Sequence, residues 1–417
     1  MSQPATRQSH FLLHSSSTIS SVQALRIYAG PVARQHLEKN GFQPGDVGTI
    51  PGAAGGPKGL ILGALDQYIF GSWLPQTSHE IHLVGASIGA WRMATACLSD
   101  PLSHPASDPV ASFKRLEHDY IRLHYEWLPG EKRPSARYIS ERFGQSLQDF
   151  YSGRVHEVLN HPRFQLHIIT SRGRHILGTE HSLRTPLGYL GAFLTNSVNR
   201  KSMGAWLERV VFSSHKAPMP FTTSDYRTRQ VALTEANFMD ALLASCSIPF
   251  VLNSVRNIAG APPGAYWDGG VTDYHLHLNY AAATNSIATR DYSTRATGIN
   301  DPQNSAEAAP WAPGAASLVL YPHFQKTVLA GWLDKRLKWR HQATHYLDTM
   351  LLLAPDPEWV KTLPNGKLPD RADFTHYGND LAGRVKAWST AASAGRQLAD
   401  EFAAWLHQPD LRQVQAL

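Results

Sequence analysis

The sequence predicts an α/β fold, in which helices cover both faces of a parallel or mixed sheet. Short aliphatic runs alternate with longer amphipathic runs along the first half of the chain, in a strand–loop–helix order. Apolar residues make up 42% of the 417 residues, which suffices for a large core. Charged residues make up only 17%, and 31 glycines and 27 prolines indicate many turns in a folded chain.

The individual elements follow from hydrophobic periodicity and from the turn residues between them. Buried strands are predicted at residues 25–28, 47–50, 80–84, 164–170, 266–267 and 317–321. Helices are predicted at residues 32–39, 60–73, 90–98, 111–127, 138–151, 237–245 and 379–406. We expect a polar, flexible tail over residues 1–21 and a loop rich in Asn, Ala, Pro and Gly over residues 291–314.

Charge and cysteine usage narrow the class of protein. The formal net charge is +6, and no block of Lys and Arg occurs. We therefore do not expect nucleic acid as a partner, and weak attraction to anionic surfaces is the most that the charge supports. Only Cys97 and Cys246 are present, so a disulfide framework is not expected and a reducing compartment fits best.

The N-terminal leader and the hydrophobic stretches indicate the cellular location of the protein. No stretch is long and apolar enough to span a bilayer, and the leader lacks the basic-then-apolar order of a secretory signal. We expect a cytoplasmic protein. A transit peptide is the alternative, because the leader is rich in Ser and the first acidic residue is Glu38.

A G-x-S-x-G pattern runs from Gly85 to Gly89 and is centred on Ser87. It lies between a predicted strand and a predicted helix, where such a turn presents a serine as a nucleophile. Gly85 and Gly89 suit a strained turn, because a residue without a side chain allows neighbouring backbone to approach closely. The N-terminus of the following helix favours a developing anion. A plain Gly/Ser turn is the alternative, and the flanking elements favour the nucleophile.

A glycine-rich loop occupies residues 52–59 and also follows a predicted strand. The backbone N–H groups of Gly55, Gly56 and Lys58 can converge there on an oxyanion, and Gly59 closes the loop. A phosphate-binding loop of the Walker type would need Ser or Thr after Gly-Lys, and a dinucleotide fingerprint would need further glycines. A packing turn without a ligand is the remaining alternative.

An Asp-Gly-Gly turn at Asp268, Gly269 and Gly270 follows the apolar pair Tyr266-Trp267. A carboxylate that enters such a turn from a buried strand can be held rigidly and take a proton from a serine hydroxyl. Asp-Gly is also a common turn, so this motif alone is weak. Burial raises the pKa of an aspartate and N–H donors lower it, and we expect no limb near the histidine value of about 6.5 in a pH–rate profile.

Together and in this order, the three motifs resemble the patatin-like phospholipase family. The family has a glycine-rich loop that ends in Arg/Lys-Gly, then G-x-S-x-G, then Asp-Gly-Gly or Asp-Gly-Ala. A fourth block over residues 241–249 is similar to the Ala-Ser-x-x-x-Pro segment of the family, and the resemblance spans about residues 50–270. The sequence departs from the family at Ala53-Ala54, where Asp-Gly is usual, and at Lys58, where Arg is commoner.

The resemblance implies a three-layer α/β/α sandwich with a mostly parallel sheet, and hydrolysis of lipid or other acyl esters without a cofactor. Ser87 would be the nucleophile and Asp268 the base of a dyad that has no catalytic histidine and no metal. A patatin-like catalytic domain is expected over residues 22–325, with an apolar insertion at about 185–214. Residues 326–417 are expected to form a mainly helical region packed on that domain.

Alternatives to this site chemistry stay open. A Ser–His–Asp esterase or thioesterase would need a histidine C-terminal to the acid. A lipid-binding or interaction protein could retain the scaffold without activity. His275 and His277 with Asp273 could bind a metal, although histidines that alternate with leucine on a half-exposed strand are a sufficient account of the pattern.

Two segments concern access of lipid to the site. Glycines beside bulky apolar residues over 187–212 predict a wall of an acyl pocket, in which Phe193 and Trp206 set the chain-length preference. A pair of core helices is the alternative. The segment 328–340 mixes Trp and Leu with Lys and Arg and predicts an ordinary amphipathic helix, with peripheral contact with a membrane as the alternative.

Overall fold

A computed structural model describes residues 22–98, 108–127, 130, 133–214, 218–281 and 317–417. The predicted tail and the predicted loop over 291–314 lie outside the described residues. Within them, eleven strands form one mixed, mostly parallel sheet that is flanked by helices, with a helical C-terminal region. The predicted fold class is therefore confirmed.

The strands run in the spatial order β11–β1–β10–β9–β2–β3–β4–β5–β6, and β8 pairs with both β4 and β7. Their bounds are β1 Leu25–Ala29, β2 Val47–Gly52, β3 Ile81–Ala86, β4 Phe164–Gly173, β5 Leu207–Ser213, β6 Thr228–Ala232, β7 Val255–Arg256, β8 Ala265–Asp268, β9 Leu318–Pro322, β10 Met350–Pro355 and β11 Val414–Ala416. The antiparallel pairs are β1 with β10, β4 with β5, β4 with β8 and β7 with β8.

Four helices of the described residues begin and end within two residues of a predicted helix, Pro31–Asn40, Ile88–Ala96, Ala136–Tyr151 and Phe238–Cys246, while the helix predicted at 111–127 ends at Arg122. The bounds of the helices are α1 Pro31–Asn40, α2 Gly63–Tyr68, α3 Ile88–Ala96, α4 Pro109–Arg122, α5 Ala136–Tyr151, α6 Val155–Leu159, α7 Arg184–Val198, α8 Phe238–Cys246, α9 Gly270–Asp273, α10 Pro357–Val360, α11 Ala372–Tyr377, α12 Leu381–Ala394 and α13 Arg396–His407. Among these, none is long and apolar enough to cross a bilayer.

The register of the central strands positions the site. Gly52 at the end of β2 pairs with Gly85 near the end of β3, so the loops after both strands leave the same edge of the sheet. Ala86 of β3 pairs with Ile169 of β4, and the next residue of β4 pairs with Asp268 at the end of β8. Ser87, which follows Ala86, therefore lies near the end of β8.

The segment expected as an apolar insertion at 185–214 is only partly separate from the sheet. Helix α7 and a 3-10 helix over Arg200–Ala205 lie outside it, but β5 is a buried strand between β4 and β6. The prediction was wrong for this second half, because a fully buried strand and a core helix are both continuous apolar runs.

The C-terminal region also contributes to the sheet. Strand β10 lies between β1 and β9, and β11 extends the sheet beyond β1, so a boundary at residue 325 divides a continuous sheet. The long helix predicted at 379–406 is two helices, α12 and α13, which meet at Gly395. There the carbonyl oxygen of Ile61 lies 2.5 Å from the position that a Cβ would occupy.

Two further helix predictions need correction. The predicted helix over 60–73 is α2 flanked by a 3-10 helix over Gly56–Leu62 and by a π-helical turn over Ile69–Trp73. The predicted amphipathic helix over 328–340 is a pair of short 3-10 helices, Trp332–Arg336 and Lys338–Arg340. In this segment the leucines are buried and Trp339 is 67% exposed.

Candidate active site

Ser87 stands in the tight turn between β3 and α3, as its sequence pattern predicts. Its φ of 56° and ψ of −130° are strained for a residue with a side chain. Close packing explains the two flanking glycines. A Cβ at Gly85 would lie 2.3 Å from the Cα of Ala90, and a Cβ at Gly89 would lie 1.8 Å from the carbonyl oxygen of Gly52.

Asp268 is the last residue of β8 and is buried. The N–H group of Gly270 donates a hydrogen bond of 2.7 Å to its Oδ1 atom. A Cβ at Gly269 would lie 2.1 Å from the carbonyl oxygen of Ile169, so this turn also requires glycine. The Gly-Gly turn therefore fixes the carboxylate in one orientation.

Ser87 and Asp268 meet in one small cavity of about 30 Å³. Burial raises the pKa of Asp268 to about 6, while the Ser87 hydroxyl, the Gly270 N–H group and the positive charges of Arg371 and Lys335 act to lower it. This pKa revises the expectation from the sequence, because the acid limb of a pH–rate profile then lies close to the range that is typical of histidine.

The block at residues 241–249 joins the serine and the aspartate. The N–H group of Ser87 donates a hydrogen bond of 2.9 Å to Oγ of Ser245, which itself donates to the carbonyl oxygen of Ile169. The N–H group of Asp268 donates to the carbonyl oxygen of Ser247 at 2.9 Å. Only the family resemblance marked this block in the sequence. Its hydrogen bonds could not be predicted, because their partners are distant in the chain.

The glycine-rich loop lies on the other side of Ser87. Gly55 and Gly56 line the small cavity with Ser87, and Gly56 has a left-handed φ of 57°. Among the described residues, no hydrogen bond is formed by the N–H groups of Gly55 and Gly56. A Cβ at Gly59 would lie 3.3 Å from the side chain of Ile88, so this glycine permits close packing of the loop on α3.

Lys58 does not line the cavities beside Ser87. Its Nζ atom lies 5.3 Å from the ring centre of Phe324. Burial lowers the pKa of Lys58, and the positive charge of Arg371 acts in the same direction. Donation of the Lys58 backbone N–H group to an oxyanion stays a prediction.

Two cations that the sequence analysis missed also face the site. Arg371 lines both cavities, and its Cγ atom lies 3.4 Å from the position of a Cβ at Gly56. The Nζ atom of Lys335 lies 3.9 Å from the ring centre of Tyr274. Burial lowers the pKa of Lys335 to about 8, and the charges of Lys58 and Arg371 contribute. No local motif marks these residues, because only the tertiary fold brings their charges near Asp268.

A second cavity of about 550 Å³ opens beside Ser87 and is lined mainly by apolar side chains. Its walls come from α4, α5, the chain after α8, and α11. The lining includes Tyr120, Leu123, Tyr125, Ile139, Phe143, Cys246, Ile248, Phe250, Val251, Leu252, Ala372 and Phe374. A cavity of this size and polarity is suited to an apolar chain.

Phe193 and Trp206, the residues predicted for an acyl pocket, line neither of these cavities. Both pack against a separate small core that includes Tyr189 and Leu207. The indole N–H group of Trp206 donates a hydrogen bond of 2.9 Å to Oγ1 of Thr195. The glycines of this stretch allow the buried side of α7 to pack closely on its neighbours. Phe193 and Trp206 therefore belong to this separate core rather than to the wall of either cavity, which corrects the prediction of an acyl pocket.

The residues considered for a metal are engaged elsewhere. Arg209 donates hydrogen bonds to both carboxylate oxygens of Asp273, and the Tyr226 hydroxyl donates to one of them. His275 and His277 are buried, and burial lowers the pKa of His277 to about 4. In the part of the chain that the structure describes, no group of three or more His, Cys, Asp or Glu side chains could hold a metal ion.

A serine on a strand-to-helix turn, an adjacent buried aspartate and an apolar cavity thus lie together on the mixed α/β sheet. A family model for patatin-like phospholipases matches residues 54–275, which is more than half of the chain. The chain therefore belongs to the patatin-like phospholipase family. No curated protein matches the chain. The match ends before Lys335 and Arg371.

Proposed function

We propose that the protein is a serine acyl-ester hydrolase that cleaves lipid or other carboxylic esters through a Ser87–Asp268 dyad. The observation that supports this most strongly is that Ser87, on its strained turn, and the buried carboxyl group of Asp268 line the same small cavity. Burial raises the pKa of that carboxyl group to about 6. At neutral pH this group is mostly ionised, and it is a stronger base than a free aspartate.

The acylation step follows from this pair. Asp268 accepts the hydroxyl proton while Ser87 Oγ attacks the ester carbonyl, and the carbonyl electron pair moves onto its oxygen. The N–H groups of Gly55 and Gly56, which line the same cavity, stabilise this oxyanion together with the N-terminus of α3. When the tetrahedral intermediate collapses, the ester C–O bond breaks and Asp268 returns the proton to the departing alcohol.

Deacylation repeats the sequence with water. Asp268 takes a proton from a water molecule that attacks the acyl-serine, and Ser87 recovers its proton as the carboxylic acid leaves. The apolar cavity of about 550 Å³ accommodates the acyl chain during both steps. No metal or organic cofactor takes part in this scheme.

The positions of the histidines favour a dyad over a triad. Every histidine that follows Asp268 in the sequence falls in the described ranges, and none lines the two cavities beside Ser87. These residues are His275, His277, His323, His341, His345, His376 and His407. The histidine in the wall of the larger cavity is His124, which precedes the acid in the chain.

A catalytically inactive lipid-binding protein is the competing function, and covalent labelling separates the two. A fluorophosphonate reagent reacts with an activated serine, so we expect one label that maps to Ser87. Ser87→Ala should remain unlabelled. Ser112→Ala is the matched control, because Ser112 is 7% exposed and Ser87 is 6% exposed. Wild-type protein that stays unlabelled and hydrolyses no ester of a graded acyl series would support the inactive scaffold.

A further inference from the structure

Helix α7 carries an apolar face that is exposed to solvent. Five residues form this face, which we call the leucine face, and their exposed fractions are Leu183 71%, Leu187 62%, Leu190 53%, Leu194 55% and Val198 86%. Steps of three and four residues align them on one side of the helix. The opposite side is buried and packs on the core. Contiguous exposed apolar side chains of this kind are uncommon unless the surface binds a partner.

Basic residues flank the leucine face in sequence, a second basic stretch packs at its C-terminal end, and acidic residues are absent from both stretches. Residues 184–207 and 335–347 contain no Asp or Glu. They contain Arg184, Arg200, Lys201, Lys335, Arg336, Lys338 and Arg340. The buried carboxylate of Asp334 binds Arg200 and Arg340. The exposed cations Arg184, Lys201, Arg336 and Lys338 form no salt bridge within the described ranges.

Trp339 extends this surface at the end of α7. Its side chain is 67% exposed, and it lies between Lys338 and Arg340. Arg340 donates hydrogen bonds to Oδ1 of Asn196 at 3.2 Å and to the carbonyl oxygen of Ser197 at 3.4 Å. An exposed tryptophan and two basic residues are therefore held beside the C-terminal end of the leucine face.

The leucine face is also connected to the large cavity. Tyr189, on the buried side of α7, packs against Phe250 with ring centres 5.7 Å apart. Phe250 lines the cavity and is 42% exposed. The same tyrosine packs against Trp267, which precedes Asp268, at 6.1 Å. A partner on the leucine face therefore lies one helix away from the wall of the cavity.

We propose that the leucine face and Trp339 insert into the interfacial region of an anionic lipid bilayer, with the exposed cations beside this face, unpaired within the described ranges, contacting the headgroups. Aliphatic side chains and tryptophan suit the boundary between headgroups and acyl chains, and a basic rim adds electrostatic attraction. A second copy of the chain fits less well, because a twofold contact through this face brings two basic rims together. The surface is independent of the dyad.

Co-sedimentation with lipid vesicles tests the proposal. We expect full-length protein to bind phosphatidylcholine vesicles that contain phosphatidylglycerol and to bind pure phosphatidylcholine vesicles weakly. Leu187→Gln with Leu194→Gln should lower the affinity for the anionic vesicles by about tenfold or more, since each leucine loses its transfer from water. Lys338→Glu with Arg336→Glu should remove the preference for anionic vesicles.

The controls separate this surface from folding and from catalysis. Val32→Gln changes another exposed apolar side chain, 40% exposed on α1, and should leave vesicle binding unchanged. Ser87→Ala should bind vesicles as the wild type does, and the leucine variants should hydrolyse a short soluble ester at the wild-type rate. Equal vesicle binding by wild type and the leucine variants overturns the proposal. A wild-type dimer that these variants convert to a monomer, without vesicle binding, overturns it in favour of a second copy.

Discussion

The carboxyl group of Asp268 is buried, and this links its role as a base to the stability of the fold. Burial raises its pKa from 3.8 to about 6, so the folded protein binds this proton more tightly than the unfolded chain does. The associated stability is fully present below the unfolded pKa and is lost as the pH rises through about 6. Ionised Asp268 is therefore unfavourable for folding and required for the proposed reaction.

Asp268→Asn tests this link. Removing the buried charge should raise the free energy of unfolding by about 2–3 kcal/mol at pH 8, an order-of-magnitude figure, and should change it little at pH 4. Denaturant titrations of both proteins at the two pH values measure the difference. The wild-type kcat/KM should rise with pH through an apparent pKa near that of Asp268. A stability difference that does not depend on pH would contradict the assignment.

Arg371 acts on the same carboxyl group through its charge. It is one of the groups that lower the pKa of Asp268, so Arg371→Gln should move the acid limb of kcat/KM to higher pH. Activity should therefore fall more at pH 6 than at pH 8. Arg412→Gln is a suitable control, because Arg412 is 91% exposed and pairs with Asp410. An unchanged limb with uniformly reduced activity would assign Arg371 to substrate binding alone.

At the scale of elements, the site depends on the close approach of the turn after β3 to the end of β2. Gly89→Ala places a Cβ 1.8 Å from a backbone oxygen and should destabilise the protein by about 2–3 kcal/mol or more. Gly144→Ala on α5 meets no atom nearer than 3.7 Å and should stabilise it by about 0.5–1 kcal/mol. Denaturant midpoints measure both changes. Equal effects would contradict the close packing at Gly89.

Helix α5 forms part of the wall of the large cavity, and it provides a test of where the acyl chain lies. Ile139→Phe should reduce the space in the cavity and shift the preferred acyl length of a graded ester series to shorter chains. Phe193→Ala should lower stability by about 3 kcal/mol or less and leave the chain-length profile unchanged, since Phe193 is only partly buried in a separate core. A changed chain-length profile for Phe193→Ala, with an unchanged profile for Ile139→Phe, would instead assign the pocket wall to α7.

At the scale of the whole molecule, local patterns predicted the fold class and the position of the candidate nucleophile. Ser87 and its flanking glycines were recognisable because a strand, a tight turn and a helix are encoded in adjacent residues. The contribution of β10 to the sheet was not predicted, since a strand that pairs with β1 carries no local mark of its partner. Arg371 was not predicted either, because no local pattern shows that it lies near Ser87. The predicted pocket at Phe193 was mistaken because an apolar core and a cavity wall have similar sequence patterns.

The central claim is that Ser87 and Asp268 act as one catalytic unit. The most direct test is kcat/KM for Ser87→Ala, Asp268→Asn and the double variant on the best ester of a graded series, with folding checked by thermal unfolding. We predict that each single change lowers kcat/KM by about 10⁴-fold and that the double variant is no worse than the more damaging single one. A folded Asp268→Asn variant with near wild-type activity, or one histidine-to-alanine variant as inactive as Ser87→Ala, would contradict the account.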